Sequence, residues 1–336
     1  MLYSKIVKMF KEIAELINNK QEFILTSHVN PDGDSIGSEI ALHRFLSKRG
    51  KHSRIMNFSK TPENYTFLDT DGVIEHFDES KHVNAIENAD VIFILDTNEF
   101  ARLRTMAPAI LKSNAKKVLI DHHLGFNKNG FDYYISDTES PSTGEILYKF
   151  LISNNESLID KEIATALYTA IMTDTGSFRF DRTDSETHII TAKLLEYGIK
   201  PYHVYSEVYN QATPEKLRLL GRFLENIKLD IDDRAAYSVL YIKDFEETGT
   251  DEYATDGYTQ YLLSLSSVLI GVLITQTKRG VKLSFRSKGS IPVSELAKEF
   301  SGGGHLNASG AFIEGGDADK IAKEIIEKSK KYILNN

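Results

Sequence analysis

A chain of 336 residues is long enough for two domains with separate cores, and 41% hydrophobic with 26% charged residues is ordinary for a globular protein. A formal net charge of -8 argues against a broad basic surface for gripping long nucleic acid, and the lack of cysteine excludes disulfides and thiolate metal sites. No run approaches the roughly 20 apolar residues of a membrane helix. The N-terminus has an amphipathic spacing (Ile6, Val7, Phe10, Ile13, Leu16, Ile17) in place of a signal peptide, so a cytoplasmic setting is expected.

Up to about residue 190, short apolar runs alternate with longer amphipathic ones. Glu22–Thr26, Arg54–Phe58, Val91–Asp96, Val118–Asp121 and Tyr133–Ser136 read as strands, and Ser35–Lys48, closed by Gly50, and Lys161–Met172 as helices. The alternation predicts an α/β domain over 1–190 on a doubly wound, mainly parallel five-stranded sheet. Residues 185 to 228 read as helical. Ser185 is expected to cap a run holding His188 to Leu195, and Thr213-Pro214-Glu215 opens another, so 191–230 forms a helical linker. Strands at Tyr237–Ile242, Val268–Gln276 and Val281–Arg286, with helices between them, predict a smaller α+β domain over 231–336.

Four segments of the first domain place Asp or His where a strand or buried helix ends, the position at which parallel α/β sheets bind ligands. In Thr26-Ser27-His28-Val29-Asn30-Pro31-Asp32-Gly33-Asp34-Ser35, three candidate ligands, His28, Asp32 and Asp34, follow the first strand. The competing reading is a turn in which Asp34 or Ser35 caps the next helix. Asp96 ends the run Val91–Leu95, and Asp174 ends a buried helix before Thr175-Gly176; each alone reads equally as a capping carboxylate. Asp121-His122-His123 at a strand end is the strongest signal. Neighbouring strand residues point to opposite faces, so one histidine would take a metal and the other would meet substrate or water, while Asp121 could accept from a ring.

His28, Asp32, Asp34, Asp96, His122 and Asp174 make two imidazoles and four carboxylates. They suit two hard divalent ions (Mn, Mg or Zn) sharing a carboxylate, and would repel one another without cations. In the second domain, Ser301-Gly302-Gly303-Gly304-His305-Leu306-Asn307-Ala308-Ser309-Gly310 reads as a flexible loop or as a backbone approach to an anion. Arg286, ending the run Lys282–Phe285, reads as a phosphate partner or as half of a surface salt bridge.

These motifs, in order, resemble the DHH/DHHA1 phosphoesterase family over nearly the whole chain. "SHVNPDGDSIGS", "ILD", "IDHH" and "MTDTG" resemble the four motifs of the DHH catalytic domain, and "FRS" with "SGGGHLNASG" resembles the DHHA1 signature. The resemblance implies two metal ions, usually Mn²⁺, with Mg²⁺ or Co²⁺ as substitutes. His28, Asp32 and Asp96 would hold one; Asp34, Asp96, His122 and Asp174 would hold the other. It implies a supporting role for Asp121 and contact of His123 with the phosphate or its water. Arg286, His305, Gly303 and Gly304 would bind the substrate's far phosphate across a cleft, and Arg102 would reach the phosphate too.

The compact two-domain plan resembles the bacterial nanoRNase and 3′-phosphoadenosine 5′-phosphate (pAp) phosphatase branch. RecJ adds an OB-type domain, family II pyrophosphatases lack the Gly-Gly-Gly-His loop, and the membrane-bound cyclic di-AMP phosphodiesterases have spanning segments. The expectation is hydrolysis of short oligonucleotides and pAp by a metal-activated hydroxide. The partner is the substrate, with no long duplex and no membrane, and with a homodimer as the assembly to look for. The rivals are a cyclic di-AMP/pApA phosphodiesterase and a non-enzymatic nucleotide-binding regulatory module.

Overall fold

The computed structural model describes residues 2–334, apart from the side chains of residues 2–5 and of His305. Its backbone divides into two compact units, Met1–Gln211 and Ala212–Asn336. The helices of the stretch expected as a linker are shared between the units.

The first unit runs α1 (Leu2–Asn19), β1 (Glu22–Thr26), α2 (Gly33–Lys48), β2 (His52–Asn57), β3 (Ile74–His76), α3 (Glu79–Asn88), β4 (Val91–Leu95), α4 (Ala107–Lys112), β5 (Lys116–Asp121), β6 (Tyr133–Ser136), α5 (Thr143–Asn155), α6 (Lys161–Asp174), α7 (Ser185–Leu195) and α8 (Pro201–Tyr209). All five expected strands are present. The sheet has six, not five, because β3 pairs with β2. Only three residues long and only half-buried, β3 carries too little apolar signal to stand out. The order is β3-β2-β1-β4-β5-β6 and every pairing is parallel. One core, with Ile36, Ile40, Phe45, Phe150 and Ile171, covers one face of the sheet; another, with Ile86, Leu103 and Ile110, covers the opposite face. The order reverses direction between β1 and β4, the switch point at which doubly wound sheets open a crevice.

Two helix starts differ from expectation. Asp32 caps α2, its Oδ1 accepting from Asp34 N and Ser35 N at 3.1 Å each. Asp184, not Ser185, caps α7, accepting from Thr187 N at 2.9 Å. A carboxylate reaches the third amide of a helix as well as a hydroxyl does, so neighbouring Asp and Ser compete for the cap.

The second unit runs α9 (Pro214–Glu225), β7 (Lys228–Asp230), β8 (Ala235–Leu240), α10 (Ile242–Thr248), α11 (Tyr258–Leu263), β9 (Ile270–Gln276), β10 (Gly280–Ser287), α12 (Val293–Lys298), β11 (Gly303–His305), β12 (Ala308–Glu314) and α13 (Ala318–Leu334). Its sheet, in the order β11-β12-β10-β9-β8-β7, is antiparallel except for β8 with β9. Among the described residues no helix is long and apolar enough to cross a membrane.

Candidate active site

The tips of β1, β4 and β5, the start of α2 and the end of α6 converge at the switch point. Small residues make this possible. A Cβ on Gly37 of α2 would lie 2.4 Å from the Ala166 carbonyl oxygen of α6, and one on Gly144 of α5 would lie 2.4 Å from Ala170 Cβ. The three helices therefore approach until their backbones nearly touch. A Cβ on Gly33 would also meet Thr173, so the start of α2, with Asp32 and Asp34, lies against the end of α6, with Asp174.

Asp96 follows β4 with a φ of 59°, a left-handed conformation unusual for a non-glycine residue and found mostly where function over-determines the backbone. Its buried carboxylate is the hub. Oδ2 accepts from Ser35 Oγ at 2.7 Å and lies 3.3 Å from His28 Nε2. Oδ1 accepts from Thr143 Oγ1 at 3.2 Å and lies 3.6 Å from His122 Nε2 and 3.7 Å from His123 Nδ1. Asp34, also buried, accepts from Thr143 N at 2.7 Å and Gly144 N at 2.8 Å, so it sits on the N-terminus of α5, where free amides and the helix dipole favour a negative charge. His122 Nε2 lies 3.2 Å from Asp174 Oδ2 and 3.8 Å from Asp34 Oδ2. Three overlapping groups thus have donor atoms within 4.8 Å of one another: His28, Asp32 and Asp96; Asp34, His122 and Asp174; Asp96, His122 and His123.

Asp121 and His123 form a separate pair beside the hub. His123 Nδ1 is 2.8 Å from Asp121 Oδ1, and His123 N donates to Oδ2 at 3.1 Å. Burial works against a charged His123, but the Asp121 hydrogen bond and the nearby carboxylates prevail and raise its pKa to about 9. The half-buried Arg102 lies close enough for its charge to work against protonation of both His28 and His123. Its carbonyl accepts from Val29 N at 2.8 Å, tying the His28 loop to the segment after β4.

The donor set fits divalent cations. Burial, then the charge of Asp96, pushes the carboxyls of Asp34 and Asp174 well above their ordinary range. Asp96 is held below its own: burial acts against this, but the hydrogen bond and charge of His28 outweigh it. Cations among these oxygens and nitrogens would relieve the crowding that otherwise raises the carboxyls of Asp34 and Asp174.

In the second unit, Arg286 is half-buried on β10 and donates from Nη1 to Phe285 O at 3.0 Å. Burial lowers its pKa, against the attraction of Asp256. The glycine-rich segment is a hairpin and not a loop: Gly303, Gly304 and His305 pair with Gly310, Ser309 and Ala308. Gly304 has a φ of +143°, and a Cβ there would lie 2.5 Å from Ala308 O; one on Gly302 would lie 2.2 Å from Gly310 O. Packing therefore requires two of the three glycines, whereas a Cβ on Gly303 would meet nothing within 4 Å. The His305 side chain lies outside the described residues.

Sequence reading missed the residues that hold the candidate ligands in place. Ser35, Thr143 and Asn98 carry neither charge nor imidazole. The run Ser140-Pro141-Ser142-Thr143-Gly144, lying just beyond a strand end and opening a helix, is the signal that could have found Thr143.

A parallel sheet that gathers hard donors at its switch point defines the class as a doubly wound α/β protein with a candidate divalent-metal centre. The chain belongs to the DHH/DHHA1 phosphoesterase family: residues 22–171 match the DHH family, N-terminal domain, and residues 232–331 match the DHHA1 domain. It is 28% identical to the bifunctional oligoribonuclease and PAP phosphatase NrnA of Thermus thermophilus, over 92% of this chain and 89% of that one. An exopolyphosphatase-related protein from Bacteroides fragilis superposes with a TM-score of 0.93 at 31% identity, covering 98% of each chain. The exonuclease RecJ bound to manganese shares the fold at a TM-score of 0.54 and 13% identity, over 97% of this chain and 94% of that one.

Proposed function

We propose that this phosphoesterase hydrolyses short oligonucleotides and pAp in the cytoplasm, using two divalent cations, manganese first among them. The observation that carries the reading is the convergence of the candidate ligands into overlapping groups joined at Asp96 and His122. In support, the Thermus thermophilus relative is named for both activities, and RecJ, which has the same fold, was crystallised with manganese. His28, Asp32 and Asp96 would hold one cation; Asp34, Asp96, His122 and Asp174 would hold the other.

Bound cations would supply an acidified water, orientation of the phosphate and neutralisation of developing charge. The chain's own residues do the rest. Ser35 and Thr143 orient the shared carboxylate from its two sides. The N-terminus of α5 fixes Asp34. Asp121 orients the His123 ring towards a phosphate oxygen, with Arg102 as a second positive contact. Arg286, Gly303, Gly304 and His305 are an anion-binding set of the second unit.

The test is turnover, with manganese, of pAp, a ribodinucleotide, pApA, cyclic di-AMP and a long RNA. The first two are expected to be the best substrates. Asp96→Ala and Asp174→Ala are each expected to lose turnover by several orders of magnitude. Variants that hydrolyse the dinucleotide like the parent would refute the site. A parent that prefers cyclic di-AMP or pApA would refute the substrate assignment.

A further inference from the structure

The first unit carries a second feature at the same end of its sheet. An open pocket of about 600 Å³ is lined by Gly125, Phe126, Asn127, Lys128, Tyr134 and Ser136. Its place beside the metal-site residues follows from the chain. Phe126 comes three residues after His123, and Ser136 on β6 is the register partner of Asp121, whose carboxylate holds the His123 ring. The connecting backbone is anchored, because Asn98 Nδ2 donates to Asp121 Oδ2 at 2.9 Å and to the carbonyls of His123 and Leu124 at 3.2 Å each.

The pocket wall is aromatic and braced. The rings of Phe126 and Tyr134 lie 4.8 Å apart at 42°, the Phe131 ring is 6.1 Å from Phe126, and Phe131 stacks on Phe100 at 4.7 Å. Phe126 is nonetheless only half-buried, and it is flanked by the exposed Leu124, Gly125, Asn127 and Lys128. Core packing therefore covers part of the Phe126 side chain, and the residue also lines the pocket. Around it, Asn127, whose Oδ1 accepts from Asn129 N at 3.1 Å, supplies an amide Nδ2 that can donate, Ser136 a hydroxyl that can donate and accept, and Lys128 a positive charge. A π-face, a two-way hydrogen-bonding group and a cation together are the chemistry that receives a nucleobase and its attached phosphate.

We infer that this pocket takes a base of the substrate, stacked on Phe126, and so favours nucleotides over phosphate esters that lack a base. The nature of the ligand rests on the phosphoesterase reading above.

The chain has no tryptophan, so Phe126→Trp places a single indole on the pocket wall. In the magnesium-loaded variant, adenosine 5′-monophosphate should quench the indole saturably and ribose 5-phosphate should not. No quenching by the nucleotide, or an equal response to both, overturns the assignment. A kinetic arm uses Phe126→Leu with a ribodinucleotide and with its analogues lacking either base. The KM for the intact dinucleotide should rise about tenfold to a hundredfold with kcat little changed, and removal of one of the bases should cost the parent a similar factor and the variant nothing further. Equal losses in parent and variant on removal of either base overturn it. If the parent hydrolyses no phosphoester, the proposed function fails, and the fluorescence arm still decides the pocket.

Discussion

Two groups of buried polar residues in the first unit carry predictions. The first serves orientation. Asp121 has no solvent exposure and spends both oxygens on His123 and Asn98. Asp121→Asn keeps the shape but weakens the hold on His123, and turnover is expected to fall about 10- to 100-fold with the metal content, measured by elemental analysis, unchanged. The second set is Glu39 with Asn57. Glu39 is fully buried on α2, its Oε2 accepts from Asn57 Nδ2 at 2.8 Å, and Asn57 Oδ1 accepts from Ser27 N at 3.2 Å, next to His28. Burial pushes the pKa of Glu39 up to about 8, against the hydrogen bonds and the charge of His28. The folded protein then holds a proton that the unfolded chain releases near 4.5, so stability from this group is full below about pH 4.5 and is lost as pH rises towards 8. Glu39→Gln removes that slope. Thermal midpoints of the metal-loaded protein should fall less between pH 5 and pH 8 in the variant than in the parent.

Among the elements, the seam between α2, α5 and α6 decides whether a site exists. Gly37 has no room for a methyl group against the backbone of α6, whereas Gly221, inside α9, has nothing within 4 Å of where a Cβ would stand. The same substitution should therefore act with opposite sign. Gly37→Ala is expected to destabilise the first unit by about 1–3 kcal/mol and to weaken metal binding, because α2 would move with its aspartates. Gly221→Ala is expected to stabilise the second unit by about 0.4–1 kcal/mol, because a helix interior favours alanine. Calorimetry with a manganese titration checks both; a neutral Gly37→Ala would show that the helices have slack.

For the whole molecule, the two units have separate cores, one set around Phe23, Phe93 and Phe150 and another around Val272, Phe285 and Ile325. All the candidate metal ligands lie in the first unit. Metal bound to the folded unit stabilises it by mass action and leaves the other alone. Chelation is expected to lower the thermal transition of the first unit by several degrees and to leave that of the second in place, read as two components of one scan. An equal shift of both components would mean that the ligands are not confined as assigned.

The strands of the first sheet were readable because a strand buried on both faces must be a short apolar run, as Val91–Leu95 is, and the candidate ligands were readable as a set, because histidines and carboxylates recur in order where strands and a buried helix end, although each carboxylate alone reads equally as a cap. β3 was not readable, since three residues, two half-buried and one exposed, leave no periodicity. The hairpin in the glycine segment was not readable either, since glycine runs are as compatible with loops as with strands and only the partner strand shows why Gly302 and Gly304 cannot carry a side chain.

Residue chemistry alone, then, sufficed for the α/β class and the family and for naming the candidate donors, because each depends on residue type and local order. The hub at Asp96, the clasp of Asp121 on His123, the seat of Asp34 on a helix N-terminus and the pocket beside Phe126 needed the folded chain. Each brings together side chains far apart in sequence, or depends on which face of the sheet a neighbouring residue occupies, and contacts of that kind leave no periodic trace in a single sequence.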